Sequence, residues 1–193
     1  MVINLLESKS AQLMNIVELD PNYVTGFTDA EGCFHVVISR RSSSKWRVTP
    51  IFEINLDSHD VQILYSIQKF FRVSTFNDLK EVIVPHFINY PLQSLKFSDF
   101  KLWAEVIKLM DKKAHLNEIG FQNILSYYAS INKGVKLLVD KNFPNIKLVE
   151  RTLPNLSKNL DPNWISGFTA GDGGFSINIR KEYVTVESRF HIA

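Results

Sequence analysis

Two carboxylates stand at matched positions in two copies of one pattern. Glu31 lies in Gly26-Phe-Thr-Asp-Ala-Glu-Gly32, and Asp172 lies in Gly167-Phe-Thr-Ala-Gly-Asp-Gly173. Each copy opens with Asp-Pro-Asn, at Asp20 and at Asp161. The aspartate suits a helix N-cap and the proline suits the first helical position. Two to three turns later the helix ends on the carboxylate. There the carboxylate meets the negative end of the helix dipole, which is unfavourable. If the two helices touch, it also meets the other carboxylate. A divalent cation offsets both. Mg²⁺ is the natural choice: a hard, octahedral ion held by few carboxylates plus water.

The elements that position this pair follow from a repeat. Residues 19–40 and 160–181 align at one constant offset, with ten of 22 pairs identical. Such self-similarity marks a duplicated structural unit. Gly26 and Ala30 are four apart and share a helix face, as do Gly167 and Gly171. Small residues at that spacing let helix backbones approach closely. The two motif helices are therefore expected to pack together about a pseudo-two-fold. Phe34 to Arg41 carries strand character, with Val36, Val37 and Ile38 β-branched. Arg40 to Lys45 is a polar turn, and Trp46 to Leu56 is the return strand. The second copy repeats the hairpin, with its return strand at Glu187 to Ala193.

Further helices are expected at about His59–Phe71, about Ser98–Met110 and about Glu118–Ile131. The first would be capped by Asp57 or Ser58 and carry an Ile63, Ile67, Phe70 stripe. Lys136 to Asn159, with Pro144 and Pro154, reads as a linker. The chain divides into an extension (1–18), a first repeat (19–135), a linker (136–159) and the start of a second repeat (160–193).

Composition narrows the class. Of 193 residues, 45% are hydrophobic and 22% charged, an ordinary globular balance. A net charge of +2 is too small to identify a nucleic-acid partner, so basic residues must be placed on one face to matter. A single cysteine, Cys33, excludes an internal disulfide and a multi-cysteine zinc site. The five histidines show no ligand-like spacing. No apolar run is long enough for a membrane span, and residues 1–18 show neither a secretory nor an import pattern.

The two heptapeptides resemble the LAGLIDADG signature of homing endonucleases in its two-copy, single-chain form. Pro85-His-Phe-Ile-Asn-Tyr-Pro-Leu92 and Lys112-Lys-Ala-His-Leu116 resemble fungal organellar members. The resemblance implies an α+β fold of αββαββα repeats, whose strands form an antiparallel saddle on duplex DNA. It implies site-specific double-strand cleavage in intron homing, with two or more divalent metal ions. Glu31 and Asp172 would ligate metal, helped by the carbonyls of Ala30 and Gly171. Lys96 matches the family's basic residue near the scissile phosphate. Two metals can polarise a phosphodiester, activate water and stabilise the leaving oxygen. A major groove admits a β-ribbon and displays a distinct code for each base pair. Counting by twos from Glu31 turns Cys33, His35, Val37, Ser39 and Arg41 toward DNA. Lys45, Arg47, Thr49, Ile51, Glu53 and Asn55 follow on the return strand, and Gly174, Ser176, Asn178 and Arg180 in the second copy.

Two alternatives stand beside cleavage: an intron RNA maturase, and a non-catalytic nucleic-acid-binding remnant. By resemblance the location is the mitochondrial matrix. Three departures from the family are visible. The second copy spans 34 residues and lacks a counterpart of Lys96. It is expected to be poorly stable alone, with its motif helix docked on the first copy or the chain paired with another chain by dimerisation, and the chain is expected to bind DNA weakly and to cut slowly or not at all as a monomer. The first copy lacks a hairpin near 71–73, which leaves its sheet short and an edge exposed. Ala170 stands where the first copy has Asp29, a loss of a cap or packing contact.

Overall fold

A computed structural model describes residues 18–42, 45–56, 60–132, 141–180 and 185–192. The first copy opens with helix α1 (Pro21–Glu31). The Asp20 side chain accepts the Asn22 N–H at 2.8 Å, and proline occupies the first turn. Strands β1 (Gly32–Ser42) and β2 (Lys45–Ile54) follow as an antiparallel pair, with Phe34 opposite Phe52 and Ile38 opposite Val48. Helix α2 (Val61–Phe71) buries Leu64, Ile67 and Phe71, while Ile63 and Phe70 pack at the margin. The expected caps Asp57 and Ser58, and His59, lie outside the described residues.

The sequence pattern gave no helix between α2 and Lys96, yet the chain is helical there. A turn α3 (Phe76–Asp78) runs through a π-helical turn (Leu79–Ile83) into α4 (Val84–Asn89). Thr75 and Asp78 form a capping box that starts the run. Pro85 reads as a breaker but sits at the start of α4, where the π turn gives way to the α-helix. The wider π turn interrupts the 3.6-residue periodicity, which is why no stripe shows in sequence. Helices α5 (Lys96–Asp111) and α6 (Glu118–Ser130) complete the first unit.

Alternation along the hairpin decides what is buried. Phe34, Val36, Ile38, Val48, Phe52 and Ile54 face inward. Phe34 is the hub: its ring lies 5.0 Å from Phe52, 5.3 Å from Phe87, 5.4 Å from Phe100 and 5.3 Å from Trp103. Stacked, tilted and edge-on aromatic packing of this kind adds about 0.5–1.5 kcal/mol per pair beyond area burial.

The expected linker is strapped onto the first unit. Arg151 pairs with Asp99 at 2.7 Å and donates to the Ser130 carbonyl. Ser98 donates to the Thr152 carbonyl at 2.7 Å, and Phe143 wedges between Trp46 and Phe121. These contacts join residues 21 to 97 positions apart, so local composition does not show them.

The second copy repeats the opening elements: α7 (Pro162–Asp172), capped by Asp161, then β3 (Gly173–Arg180) paired antiparallel with β4 (Thr185–Ile192). Each hairpin forms its own two-stranded sheet. Among the described residues the first copy has no second hairpin. The inward pattern of β1 and β2 recurs in Phe175, Ile177, Ile179, Val186, Phe190 and Ile192. In the second copy all six are exposed, Phe175 at 79%. Among the described residues Phe175 stacks on Phe190 alone, at 4.9 Å, where its first-copy equivalent Phe34 has four aromatic partners.

Candidate active site and nucleic-acid interface

The centre of the molecule is the crossing of α1 and α7. A Cβ added to Gly26 would fall 2.0 Å from the Trp164 carbonyl oxygen and 2.9 Å from the Phe168 nitrogen. One added to Gly167 would fall 2.0 Å from the Tyr23 oxygen and 2.9 Å from the Phe27 nitrogen. Close carbon–oxygen contacts run at about 3.3 Å, so only glycine lets these backbones meet. The matching distances express the pseudo-two-fold directly. One turn on, Gly171 lies against Ala30 and the Glu31 side chain, with an added Cβ 2.4 Å from the Ala30 Cβ.

This crossing brings the two carboxylates together. Burial raises the Glu31 pKa, and the Asp172 and Asp60 carboxylates raise it further, while the Lys96 ammonium opposes. Lys96 heads α5 and donates to the Ala30 carbonyl oxygen. Burial lowers its pKa, opposed by Asp29, Asp172 and Glu31. Glu31, Asp172, Ala30, Gly171 and Lys96 thus share one place. The donor set is all oxygen, carboxylates plus carbonyls at two helix ends, and a positive group is already drawn into it. That chemistry fits a hard divalent cation.

Asp29, adjacent to the pair, has a role the sequence did not reveal. It is 3% exposed and accepts four hydrogen bonds. Gln93 N–H donates at 2.7 Å, Ser94 N–H at 3.2 Å, Ser94 Oγ at 2.6 Å and the Trp164 indole at 2.9 Å. Ser94 Oγ in turn accepts the Lys96 N–H at 3.2 Å. Burial raises the Asp29 pKa and these bonds oppose the rise. The side chain therefore ties the turn that carries Lys96 to α1, and ties α1 to α7. The two-fold partner positions hold Ala170 and Tyr23, so this network exists on one side only. On the other side an open pocket is lined by Tyr23, Phe27, Glu31, Asp60, Ala170 and Gly171. Asp29 caps the 93–94 turn rather than its own helix. Both mismatches, Asp29 with Ala170 and Tyr23 with Trp164, were readable in the repeat. Their pairing across the crossing was not.

Comparison with known proteins places this arrangement. Residues 24–81 and 70–107 match the family model described as LAGLIDADG endonuclease. A Neurospora crassa protein named probable intron-encoded endonuclease 2 is 33% identical over 204 residues, covering 91% of this chain and 45% of that protein. The homing endonuclease I-GzeII, solved with its DNA target, superposes with a TM-score of 0.83 at 33% identity, covering 90% of this chain and 66% of that one. The meganuclease I-CpaMI, solved on uncleaved DNA, superposes at 0.83 with 32% identity, covering 90% and 67%. The chain belongs to the LAGLIDADG endonuclease family. It spans less than half the length of that curated relative and about two thirds of these structures.

In this LAGLIDADG chain the outward face of the first hairpin carries Cys33, His35, Val37, Ser39 and Arg41 on β1. Arg47, Thr49, Ile51 and Glu53 lie on β2, with Asn55 just past it. Arg41, Arg47 and Asn55 are exposed and the others partly so. On the second hairpin Ser176 and Asn178 are exposed and Gly174 is partly covered. The side chains of Lys45 and Arg180 lie outside the described residues. The histidines show no ligand-like spacing along the chain, but Cys33, His35 and Glu53 converge so that one donor atom of each lies within 4.8 Å of the others. Glu53 comes from the opposite strand, directly across from Cys33, and sequence spacing cannot show a cross-strand ligand.

Proposed function

We propose that this chain carries the catalytic centre of a site-specific double-stranded DNA endonuclease that serves intron homing. The observation behind this reading is the pair of helix-end carboxylates, Glu31 and Asp172, set at the base of polar hairpin faces. When bound, Mg²⁺ ions would polarise the phosphodiester and lower the pKa of an attacking water. Glu31 and Asp172 supply the anionic oxygens that hold such ions, with the Ala30 and Gly171 carbonyls as neighbouring acceptors. Lys96 places a positive charge where negative charge develops on the phosphate, held there by Asp29 through Ser94. Water's oxygen joins phosphorus as one sugar oxygen leaves.

The outward hairpin residues are the surface for duplex DNA. Arg41, Lys45, Arg47 and Arg180 suit phosphates or guanine edges, and Asn55 and Asn178 suit adenine. Cys33, His35, Val37, Ser39, Thr49, Ile51, Glu53, Gly174 and Ser176 fill the same faces. The intron-encoded naming of the Neurospora relative supports synthesis from an intron, and the resemblance to fungal organellar members makes that intron a mitochondrial one in this reading. A helical layer like α4 and α5, from further chain or a second copy, would cover the second hairpin. Selecting a preferred duplex from a randomised pool, then competing it with structured intron RNA, tests the partner. Equal or tighter RNA binding would replace this reading with the maturase. Cutting in Mg²⁺ that is lost in Glu31→Gln tests the chemistry.

A further inference from the structure

We propose that Cys33, His35 and Glu53 form a second metal site, selective for a borderline-soft divalent cation such as Zn²⁺. It is distinct from the all-oxygen centre at Glu31 and Asp172. The hairpin register builds it. Cys33 and His35 are two apart on β1 and share a face, and Glu53 is the cross-strand partner of Cys33. The three therefore converge by backbone geometry.

The distances already approach those of a bound site. Cys33 Sγ lies 3.8 Å from His35 Nδ1, and His35 Nδ1 lies 3.5 Å from Glu53 Oε1. Tetrahedral zinc with bonds of about 2.0 to 2.3 Å sets neighbouring donor atoms at about 3.3 to 3.6 Å. The third pair, Cys33 Sγ and the Glu53 carboxylate, lies within 4.8 Å, so closing the site needs side-chain shifts of about 1 Å at most. The His35 and Glu53 side chains are 26% and 27% exposed, sheltered by the hairpin yet open to an incoming ion. Three protein donors leave a fourth position, which faces away from the Phe34 core. A thiolate, an imidazole and a carboxylate together favour Zn²⁺ or Co²⁺ over Mg²⁺, which prefers oxygen donors.

The test uses the full chain. Co²⁺ is titrated and followed by sulfur-to-cobalt charge-transfer absorption. Because Cys33 is the only cysteine, such a band reports this site alone. A band saturating at one ion per chain is expected. Cys33→Ser should abolish it, His35→Ala and Glu53→Gln should weaken the affinity at least tenfold, and Glu31→Gln should leave it intact. In the unmodified chain, Zn²⁺ should slow reaction of Cys33 with a thiol reagent at least tenfold, while Mg²⁺ should not. This arm requires no variant to fold. Absence of the band, equal thiol reactivity with and without Zn²⁺, or unchanged affinity in a folded His35→Ala variant would each overturn the proposal.

Discussion

Replacing Gly26 with alanine probes the crossing on which the site depends. The new Cβ would sit 2.0 Å from the Trp164 carbonyl oxygen and 2.8 Å from its carbon. Relief to about 3.3 Å requires the helix backbones to part by more than about 1 Å. Neither contact is a flexible side-chain end, so the helices must move as bodies. Overpacking of this kind destabilises by about 1–3 kcal/mol. Alanine's better helix propensity returns about 0.5–1 kcal/mol. The net loss of about 1–2 kcal/mol falls on docking of the second copy, because Gly167 is the only buried residue in α7. The first core around Phe34 and Trp103 is untouched. Amide hydrogen exchange separates these effects. Amides of α7 should lose about tenfold protection, while those of α5 and α6 hold theirs. Gly167→Ala should do the same within about 0.5 kcal/mol, because its clashes mirror those of Gly26. Greater α7 protection in either variant, or loss confined to the first core, would refute the close-packed crossing.

Other perturbations separate the remaining interactions. Asp29→Ala should strand the Gln93 and Ser94 amides and the Trp164 indole, lowering stability by about 2–4 kcal/mol in a denaturant titration. Trp164→Phe removes only one of those bonds and should cost about 1 kcal/mol. His86 is buried with its pKa lowered to about 4, so the unfolded chain binds its proton first as pH falls. Stability is therefore full above pH 6.5 and should fall by about 3 kcal/mol toward pH 4. That slope should vanish in His86→Phe whatever its baseline. Glu31 carries a raised pKa, so its ionised form opposes folding at neutral pH. Without metal, Glu31→Gln should melt no lower than the parent, and Mg²⁺ should raise the melting temperature of the parent alone.

What the sequence disclosed was whatever repeats or alternates. The Asp-Pro caps, the glycine faces and the split between Phe34 and His35 sides of the hairpin are local, and all lie where periodicity puts them. Lys96 could be placed only through the family resemblance, and its contact with the Ala30 carbonyl came from the fold. The run from Phe76 to Asn89 stayed hidden because a π turn breaks its period and Pro85 mimics a stop. The Asp29–Trp164 bond and the Arg151–Asp99 strap span 135 and 52 residues, beyond any window of pattern reading. The convergence of Cys33, His35 and Glu53 needed the strand register. The bare face of Phe175 follows from the repeat itself, which supplies a hairpin and shows its apolar side without the helices that cover Phe34.

One measurement bears most directly on the carboxylate pair. A plasmid pool of candidate intron-insertion sites is incubated with the chain in Mg²⁺ and in Ca²⁺, beside Glu31→Gln and Asp172→Asn. Cutting of one sequence in Mg²⁺, abolished in both variants while duplex binding persists, is the predicted result. Cutting that survives in either variant, or no cutting with duplex binding indifferent to the metal, would contradict a catalytic centre at Glu31 and Asp172.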